Sequence, residues 1–131
     1  MMISEIAEQT NVSKSTLRYY EKIGLIPSVP RIGNGVRSYD EKFIRWIKLV
    51  QDLKDMGMSL ENILDYFKLA KAGKDTSQVR KNLLVKTQQM LVEKIMILQK
   101  MSDDIDKQLD KYDDVLLPNT ENLINHWNNN Q

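Results

Sequence analysis

The sequence has no cysteine and only one histidine, His126, among its 131 residues. The lack of cysteine excludes disulfides, thiolate metal sites, iron–sulfur clusters and a thiol redox switch. With a single imidazole we do not expect a zinc site or a histidine-based catalytic centre, and no residues suggest a nucleophile paired with a base. We therefore predict no metal, no cofactor and no enzyme activity.

Long apolar runs are also absent. No stretch approaches the length of a membrane span, and the opening residues MMISEIAEQ lack the basic and apolar regions of a signal peptide. The composition, 41% hydrophobic and 28% charged, is that of a globular protein. We expect a cytoplasmic chain with a small domain and an extension, for which oligomerisation would bury further surface.

Neither sign of charge dominates the chain as a whole, because the net charge is only +1. The distribution is uneven, however. Residues 1–50 contain eight Lys and Arg against five Asp and Glu, whereas residues 51–131 contain eleven against thirteen. A basic N-terminal end on a mildly acidic remainder favours a polyanionic partner at that end.

Two short helices are predicted at the start of the chain. The first begins with Ser4 as N-cap and ends near Asn11, and Ser13 caps a second helix over residues 14–22. Gly24 follows the second helix and can adopt the left-handed conformation that ends it. Two short helices joined by a tight turn form a helix-turn-helix.

The next segment, LIPSVPRIGNGVRSY, cannot continue as a helix because it contains Pro27 and Pro30. Its Gly33-Asn34-Gly35 stretch includes the Asn-Gly pair favoured in tight hairpins. We predict a short β-hairpin, or at least a rigid projecting loop, that carries Arg31 and Arg37 on its two arms.

Two further helices should complete a small core. Asp40 caps the third helix, which ends at Gly57, and Ser59 caps the fourth, which ends near Gly73. Their apolar residues recur at helical spacing. These residues are Phe43, Ile47, Val50 and Leu53 in the third helix and Leu60, Ile63, Leu64 and Phe67 in the fourth.

Gly and Pro are both absent from residues 75–117, which predicts an uninterrupted helix, and a seam of about four heptads implies a length of roughly 50 Å. Apolar residues recur there with heptad spacing, which is typical of a coiled-coil seam and favours a homodimer over an intramolecular partner. The predicted dimer interface consists of Leu84, Leu91, Ile95, Leu98, Ile105, Leu109 and Tyr112. Pro118 is expected to end the helix, so we divide the chain into residues 1–74, 75–117 and 118–131.

Polar residues at the start of the second helix and on the hairpin are candidate DNA contacts. A helix-turn-helix places the N-terminal part of its second helix in the major groove, and an arginine-bearing hairpin suits a phosphate or the minor groove. Either group alone could be ordinary solvated surface, but together they favour DNA. The candidates are Lys14, Ser15, Thr16, Arg18 and Tyr19 on the helix and Arg31, Asn34, Arg37 and Tyr39 on the hairpin.

Over roughly residues 2–70 the sequence resembles the N-terminal domain of the MerR family of bacterial transcription regulators. The resemblance lies in TLRYYEKIGLI, in the hairpin pattern NGVRSY and in GMSLENI of the fourth helix. It implies a mainly α fold, in which a winged helix-turn-helix precedes a long dimerisation helix that forms an antiparallel coiled coil. It also implies a dimer that distorts promoter DNA so that RNA polymerase can read both promoter elements.

The resemblance also assigns individual roles. By it, Thr16, Arg18 and Tyr19 would contact operator DNA, while Arg37 and Tyr39 would hold the DNA backbone beside the wing. Tyr20 would pack against the base of the wing, and Glu21 would brace a neighbouring arginine. The sequence departs from the family at Val36, where a tyrosine is usual.

The sequence lacks the cysteines and the large C-terminal domain that several branches of the family use to bind their effectors. Metal-sensing and redox-sensing relatives use cysteines, and Asp52 stands where an aldehyde-responsive branch carries its cysteine. Drug-sensing relatives have a large C-terminal ligand domain, whereas thirteen residues follow Pro118 here. These points leave two possibilities: a small organic effector bound between residues 1–74, the coiled-coil helix and residues 118–131, or no effector. Candidate pocket residues, for each of which core packing or coil docking is the stronger interpretation, are Trp46, Tyr66, Phe67, Met90, His126 and Trp127.

A second class of function stays open. In it the coil recruits a protein partner, the chain serves as an architectural or interaction module, and DNA binding is secondary.

Overall fold

The structure is a computed structural model that describes residues 1–130, apart from the side chain of Lys74. The helices are α1 (Ile3–Thr10), α2 (Lys14–Ile23), α3 (Glu41–Asp55), α4 (Leu60–Ala72), α5 (Ser77–Asp110) and α6 (Leu117–Asn129), and the strands are β1 (Arg31–Ile32) and β2 (Val36–Arg37). A 3₁₀ turn lies at Lys74–Thr76 and a π-helical turn at Tyr112–Leu116. The predicted fold class, a mainly α winged helix-turn-helix followed by a long helix, is confirmed. The chain forms two compact units, residues 1–88 and the unit that begins at Gln89.

The residue that ends α1 suits the backbone conformation of the turn that follows. Asn11 follows α1 in the left-handed conformation, with φ of 56°, and its N–H bonds to the carbonyl of Ala7. Asparagine tolerates this conformation better than other non-glycine residues do, so the turn costs little there. The predicted cap at Ser4 is wrong, since α1 begins at Ile3 and Met2 occupies the cap position without a side-chain bond.

The caps of α2 are confirmed. The N–H of Thr16 donates to Oγ of Ser13 at 3.1 Å, which satisfies one of the free donors of the first turn. Gly24 ends the helix with φ of 84°, in the left-handed region that glycine adopts without strain.

The segment after α2 forms a hairpin, the first of the two predicted alternatives. Arg31 pairs with Arg37 and Ile32 with Val36, in antiparallel register. Gly33 and Gly35 have φ of 54° and 85° and turn the chain between the strands. This β1–β2 hairpin is called the wing below.

The caps predicted for α3 and α4 are also confirmed. Lys42 N–H donates to Oδ1 of Asp40 at 2.8 Å, and Asn62 N–H donates to Oγ of Ser59 at 3.1 Å. The apolar faces of these helices pack with those of α1 and α2. The core of the first unit is formed by Ile6, Leu17, Tyr20, Leu25, Ile26, Phe43, Ile47, Val50, Leu53, Ile63 and Phe67, among others.

The long helix has about the predicted length but ends at Asp110, before residue 117. It spans 34 residues, which corresponds to about 50 Å at 1.5 Å per residue, and a π-helical turn follows it. None of the helices in residues 1–130 is both long and apolar enough to cross a membrane.

The expectation that Pro118 ends a helix is wrong. Pro118 lies in the first turn of α6, which runs for 13 residues to Asn129. Proline is tolerated there because the N–H groups of the first turn have no acceptor within the helix. The division of the chain at residues 74 and 117 stays a prediction.

Candidate nucleic-acid interface

Helix α2 separates its side chains into a buried face and an exposed face. Leu17 and Tyr20 lie in the core. The exposed face carries four of the predicted DNA contacts, Lys14, Ser15, Arg18 and Tyr19. Because residues on one side of a helix recur at three- and four-residue spacing, the two cations and the hydroxyls share one surface. Such a surface can donate to phosphates and to base edges.

Thr16 is half-buried and takes part in the cap of its own helix. Its Oγ1 accepts a hydrogen bond from Oγ of Ser13 at 2.7 Å. The hydroxyl is thereby held in place at the N-terminus of α2, and its predicted contact with DNA stays a prediction.

Helix α3 ties the two helices of the helix-turn-helix together. Lys54 Nζ donates to the hydroxyl of Tyr20 at 3.1 Å and lies 5.7 Å from the centre of its ring. Gln51 Nε2 donates to the carbonyl of Thr10, at the end of α1, at 2.7 Å. The resemblance implied that Tyr20 packs on the wing, whereas its hydroxyl meets α3. The sequence analysis missed both Gln51 and Lys54, since partners so distant in the chain leave no local signal.

The carboxylate of Glu21 joins α2 to the wing at two points. Its Oε1 accepts from Nε of Arg37 at 2.7 Å, and its Oε2 accepts from the N–H of Val29 at 2.9 Å. Val29 precedes β1 and Arg37 ends β2, so a single side chain holds both ends of the hairpin. The prediction that Glu21 braces an arginine is confirmed.

Burial acts to raise the pKa of Glu21, but the hydrogen bonds from Val29 and Arg37 and the positive charges of Arg37 and Arg31 lower it. The result is a pKa below the ordinary glutamate value. The group is therefore a carboxylate at neutral pH, and the Arg37 pair is ionic.

The tip of the wing is exposed. Arg31 and Asn34 both lie at the surface, and Nη1 of Arg31 donates to the carbonyl of Gly35 at 2.7 Å, which stiffens the turn. Arg37 is half-buried. Both arginines retain further N–H donors, because a guanidinium carries five.

The Tyr39 side chain lies in the core and not on the surface that carries the other candidates. It is 2% exposed, and its ring packs edge-on against Phe43 with centroids 5.4 Å apart. Its hydroxyl is buried without a hydrogen-bond partner among the residues described, and burial raises its pKa. The DNA contact expected for this side chain is therefore corrected: an aromatic ring two residues beyond Arg37 completes the core beneath the wing.

A sequence profile described as "MerR HTH family regulatory protein" matches residues 1–69, more than half of the chain. The chain belongs to the MerR family.

Individual MerR relatives agree with this assignment. The HTH-type transcriptional regulator AdhR of Bacillus subtilis is 41% identical over 93 residues, which cover 71% of this chain and 66% of AdhR. The regulator YyaN of the same organism is 48% identical over 66 residues, 50% of this chain and 48% of YyaN. The chain thus matches about half to two thirds of the length of these curated relatives.

Solved structures of MerR proteins share the fold. A MerR family transcriptional regulator from Listeria monocytogenes is 35% identical with a TM-score of 0.66, and the match covers 100% of this chain and 99% of that one. HiNmlR, described as a MerR family regulator lacking the sensor domain, bound to promoter DNA, is 32% identical with a TM-score of 0.62 over 86% of this chain and 89% of that one. This protein is accordingly a MerR family transcription regulator with a DNA-binding helix-turn-helix.

Three of the predicted effector residues, Trp46, Tyr66 and Phe67, lie in the first unit. Trp46 and Tyr66 each pack edge-on against Phe67, with centroids 5.1 Å and 5.8 Å apart, and Arg80 lies 5.4 Å from the centre of the Tyr66 ring. Phe67 is buried, so this aromatic group belongs to the core of the first unit. An open groove of about 310 Å³ lies beside it, lined by Lys42, Arg45, Trp46 and Leu49.

The other three effector candidates belong to the second unit. Met90 is exposed on α5. His126 and Trp127 line a shallow groove of about 650 Å³ along α6, with Thr120, Leu123, Ile124 and Asn130. In residues 1–130, no three Asp, Glu or His side chains gather into a group that could hold a metal ion.

The predicted dimer seam is apolar and largely exposed in the protomer. Leu84 is half-buried against the core of the first unit. The remaining seam residues, Leu91, Ile95, Leu98, Ile105, Leu109 and Tyr112, are exposed, as is shown by Leu98 at 63%. A row of large apolar side chains in water is unfavourable and is typical of a surface that a partner covers.

Proposed function

We propose that this protein is a homodimeric regulator that binds a specific operator and distorts promoter DNA for RNA polymerase. The observation that carries the proposal is the exposed row of Lys14, Ser15, Arg18 and Tyr19 on α2, next to a wing that is tied to the same helix. The Arg18 guanidinium can reach a guanine edge or a phosphate, while Arg31, Asn34 and Arg37 meet the DNA backbone beside it. Such a protein would act in the cytoplasm, on promoter DNA.

The dimer would be antiparallel, and the charges of α5 and of the π-helical turn after it support this direction. Residues 77–100 carry five Lys and Arg against one Glu, whereas residues 101–116 carry two Lys against six Asp. Parallel helices would set like charges side by side, whereas antiparallel helices set the basic half against the acidic half. The apolar seam supplies the attraction, and the charges select the orientation.

A dimer places two recognition helices on two half-sites, so the operator would be near-palindromic. Distortion of the DNA between the half-sites would cost elastic energy, which the contacts on either side would offset. The DNA-bound state of HiNmlR supports promoter DNA as the partner.

A small organic compound would serve as effector, since neither thiols nor a metal-binding group is present in residues 1–130. The apolar groove with His126 and Trp127 on α6 supports such a ligand, because aromatic and aliphatic side chains line it beside one titratable group. An effector switches the protein only if it binds the DNA-distorting form of the dimer more tightly than the other form.

The experiment that tests this proposal begins with selection of a duplex from a random-sequence library by the wild-type protein. Specific binding predicts enrichment of a near-palindrome, with an affinity for it about a thousandfold or more above that for random duplex. Both affinities should fall steeply with salt. Equal affinity for every duplex would instead favour the architectural or protein-interaction function.

A further inference from the structure

We propose that Glu21 is a positioning residue for DNA binding, which holds the Arg37 guanidinium so that its outer edge meets a DNA phosphate. The proposal rests on the proposed contact between the wing and DNA. Charge alone predicts the opposite effect, because a carboxylate near DNA should repel the phosphates.

The geometry explains why this carboxylate can help. Glu21 engages Nε of Arg37, the atom on the inner side of the guanidinium, at 2.7 Å. Neither Nη atom of Arg37 has a hydrogen-bond partner among the residues that the structure describes. Because the guanidinium is planar, a bond at Nε fixes the direction of the remaining donors. The Arg37 side chain is 24% exposed and that of Glu21 is 15% exposed, so the arginine is the more accessible member of the pair.

The second oxygen of Glu21 adds a backbone anchor. Val29 lies between Pro27 and Pro30, neither of which has an N–H to donate. Its own N–H bonds to Oε2 of Glu21 at 2.9 Å. The same carboxylate therefore anchors both the backbone before β1 and the side chain of Arg37. Without it, both the hairpin and the arginine would have to be ordered when DNA binds, at a cost in entropy.

The decisive measurement is whether Glu21→Gln strengthens or weakens DNA binding. This change removes a negative charge and leaves a side chain of the same size, whose amide can still accept from Val29 but loses the ionic pair with Arg37. Charge alone predicts tighter DNA binding, whereas positioning predicts weaker binding. We expect roughly tenfold weaker binding to the duplex selected by the wild-type protein, by the loss of a charge-assisted bond. Glu8→Gln on α1 is the matched control, because Glu8 is an exposed acid whose carboxylate makes no hydrogen bond among the residues described, and it should bind as tightly as wild type or slightly more so.

The salt dependence tests the route through Arg37. The slope of log affinity against log salt is negative, and each lost phosphate contact makes it less steep by about 0.9. We expect Glu21→Gln and Arg37→Gln to make this slope less steep by the same amount, and the double variant to bind no more weakly than either single variant. Thermal melting of every variant distinguishes a change in DNA binding from a loss of folded protein.

Three results would overturn the proposal: affinity of Glu21→Gln equal to or above wild type, a salt slope unchanged from wild type, or losses that add in the double variant. If Glu21→Gln does not fold, Arg37→Gln alone still decides whether the arginine meets a phosphate, because an unchanged slope in that variant removes the premise. Failure of the wild-type protein to select any duplex would contradict the proposed function and not this inference alone.

Discussion

Lys54 of α3 donates a hydrogen bond of 3.1 Å to the hydroxyl of Tyr20 on α2 and lies 5.7 Å from the centre of the same ring. The two residues are 34 positions apart in the sequence. The bond gives the polar end of a buried aromatic ring a partner, and it fixes the recognition helix against the helix that follows the wing.

Loss of this bond should destabilise the protein modestly. We expect Lys54→Met to lower the free energy of unfolding by about 0.5–1.5 kcal/mol, because the Tyr20 hydroxyl loses its donor in a part-buried position. Urea titration measures the change. Lys48→Met is the control, since Lys48 is an exposed lysine of the same helix with no recorded bond. Tyr20→Phe should abolish the effect of Lys54→Met, and full additivity of the two changes would contradict the coupling.

Arg18 is expected to contribute affinity and not stability. Its side chain lies on the exposed face of α2 that is proposed to meet DNA, so Arg18→Ala should leave thermal melting unchanged and weaken operator binding about tenfold or more. A gel-shift titration checks this. Lys22→Ala, an exposed cation in the last turn of the same helix, should have a smaller effect. Equal losses in the two variants would show that Arg18 adds only non-specific charge.

Tyr39, unlike Arg18, is expected to affect stability and not DNA binding. Its buried hydroxyl has no partner among the residues described, so Tyr39→Phe removes an unsatisfied polar group. We expect the melting temperature to stay the same or rise, by at most the equivalent of about 1–3 kcal/mol, with operator affinity unchanged. Weaker DNA binding at unchanged stability would show instead that the ring leaves the core and contacts DNA.

The dimer seam can be tested with two neighbours on α5. Leu98 and Met96 are 63% and 67% exposed in the protomer, but only Leu98 lies in the heptad seam. Leu98→Asp should therefore produce monomers, because a carboxylate would be buried at the interface without a partner. Met96→Asp should remain dimeric. Sedimentation measures both, and a persisting dimer of Leu98→Asp would show that the seam is wrong.

Several features follow from the sequence because they depend on a few adjacent residues. Ser13, Asp40 and Ser59 cap helices through bonds to residues two or three positions away. Gly24 ends α2, and Gly33 and Gly35 bend the wing, because these backbone conformations suit glycine. The heptad spacing on α5 likewise depends only on helical geometry.

Pro118 shows where local rules are insufficient. Proline is compatible both with the end of one helix and with the first turn of the next, so the sequence permitted either interpretation. The structure has it at the start of α6.

The sequence by itself therefore determined the order of the first four helices, the position of the wing and the polar residues at the start of α2 that are proposed to contact DNA. Only the tertiary structure decided that Tyr39 is buried, that Tyr20 meets Lys54, and that Glu21 bonds to Val29 as well as to Arg37. The physical reason is how far apart in the sequence the interacting residues lie. Caps and turns are set by bonds within a few residues, whereas burial and side-chain pairing depend on which distant segments the core brings together.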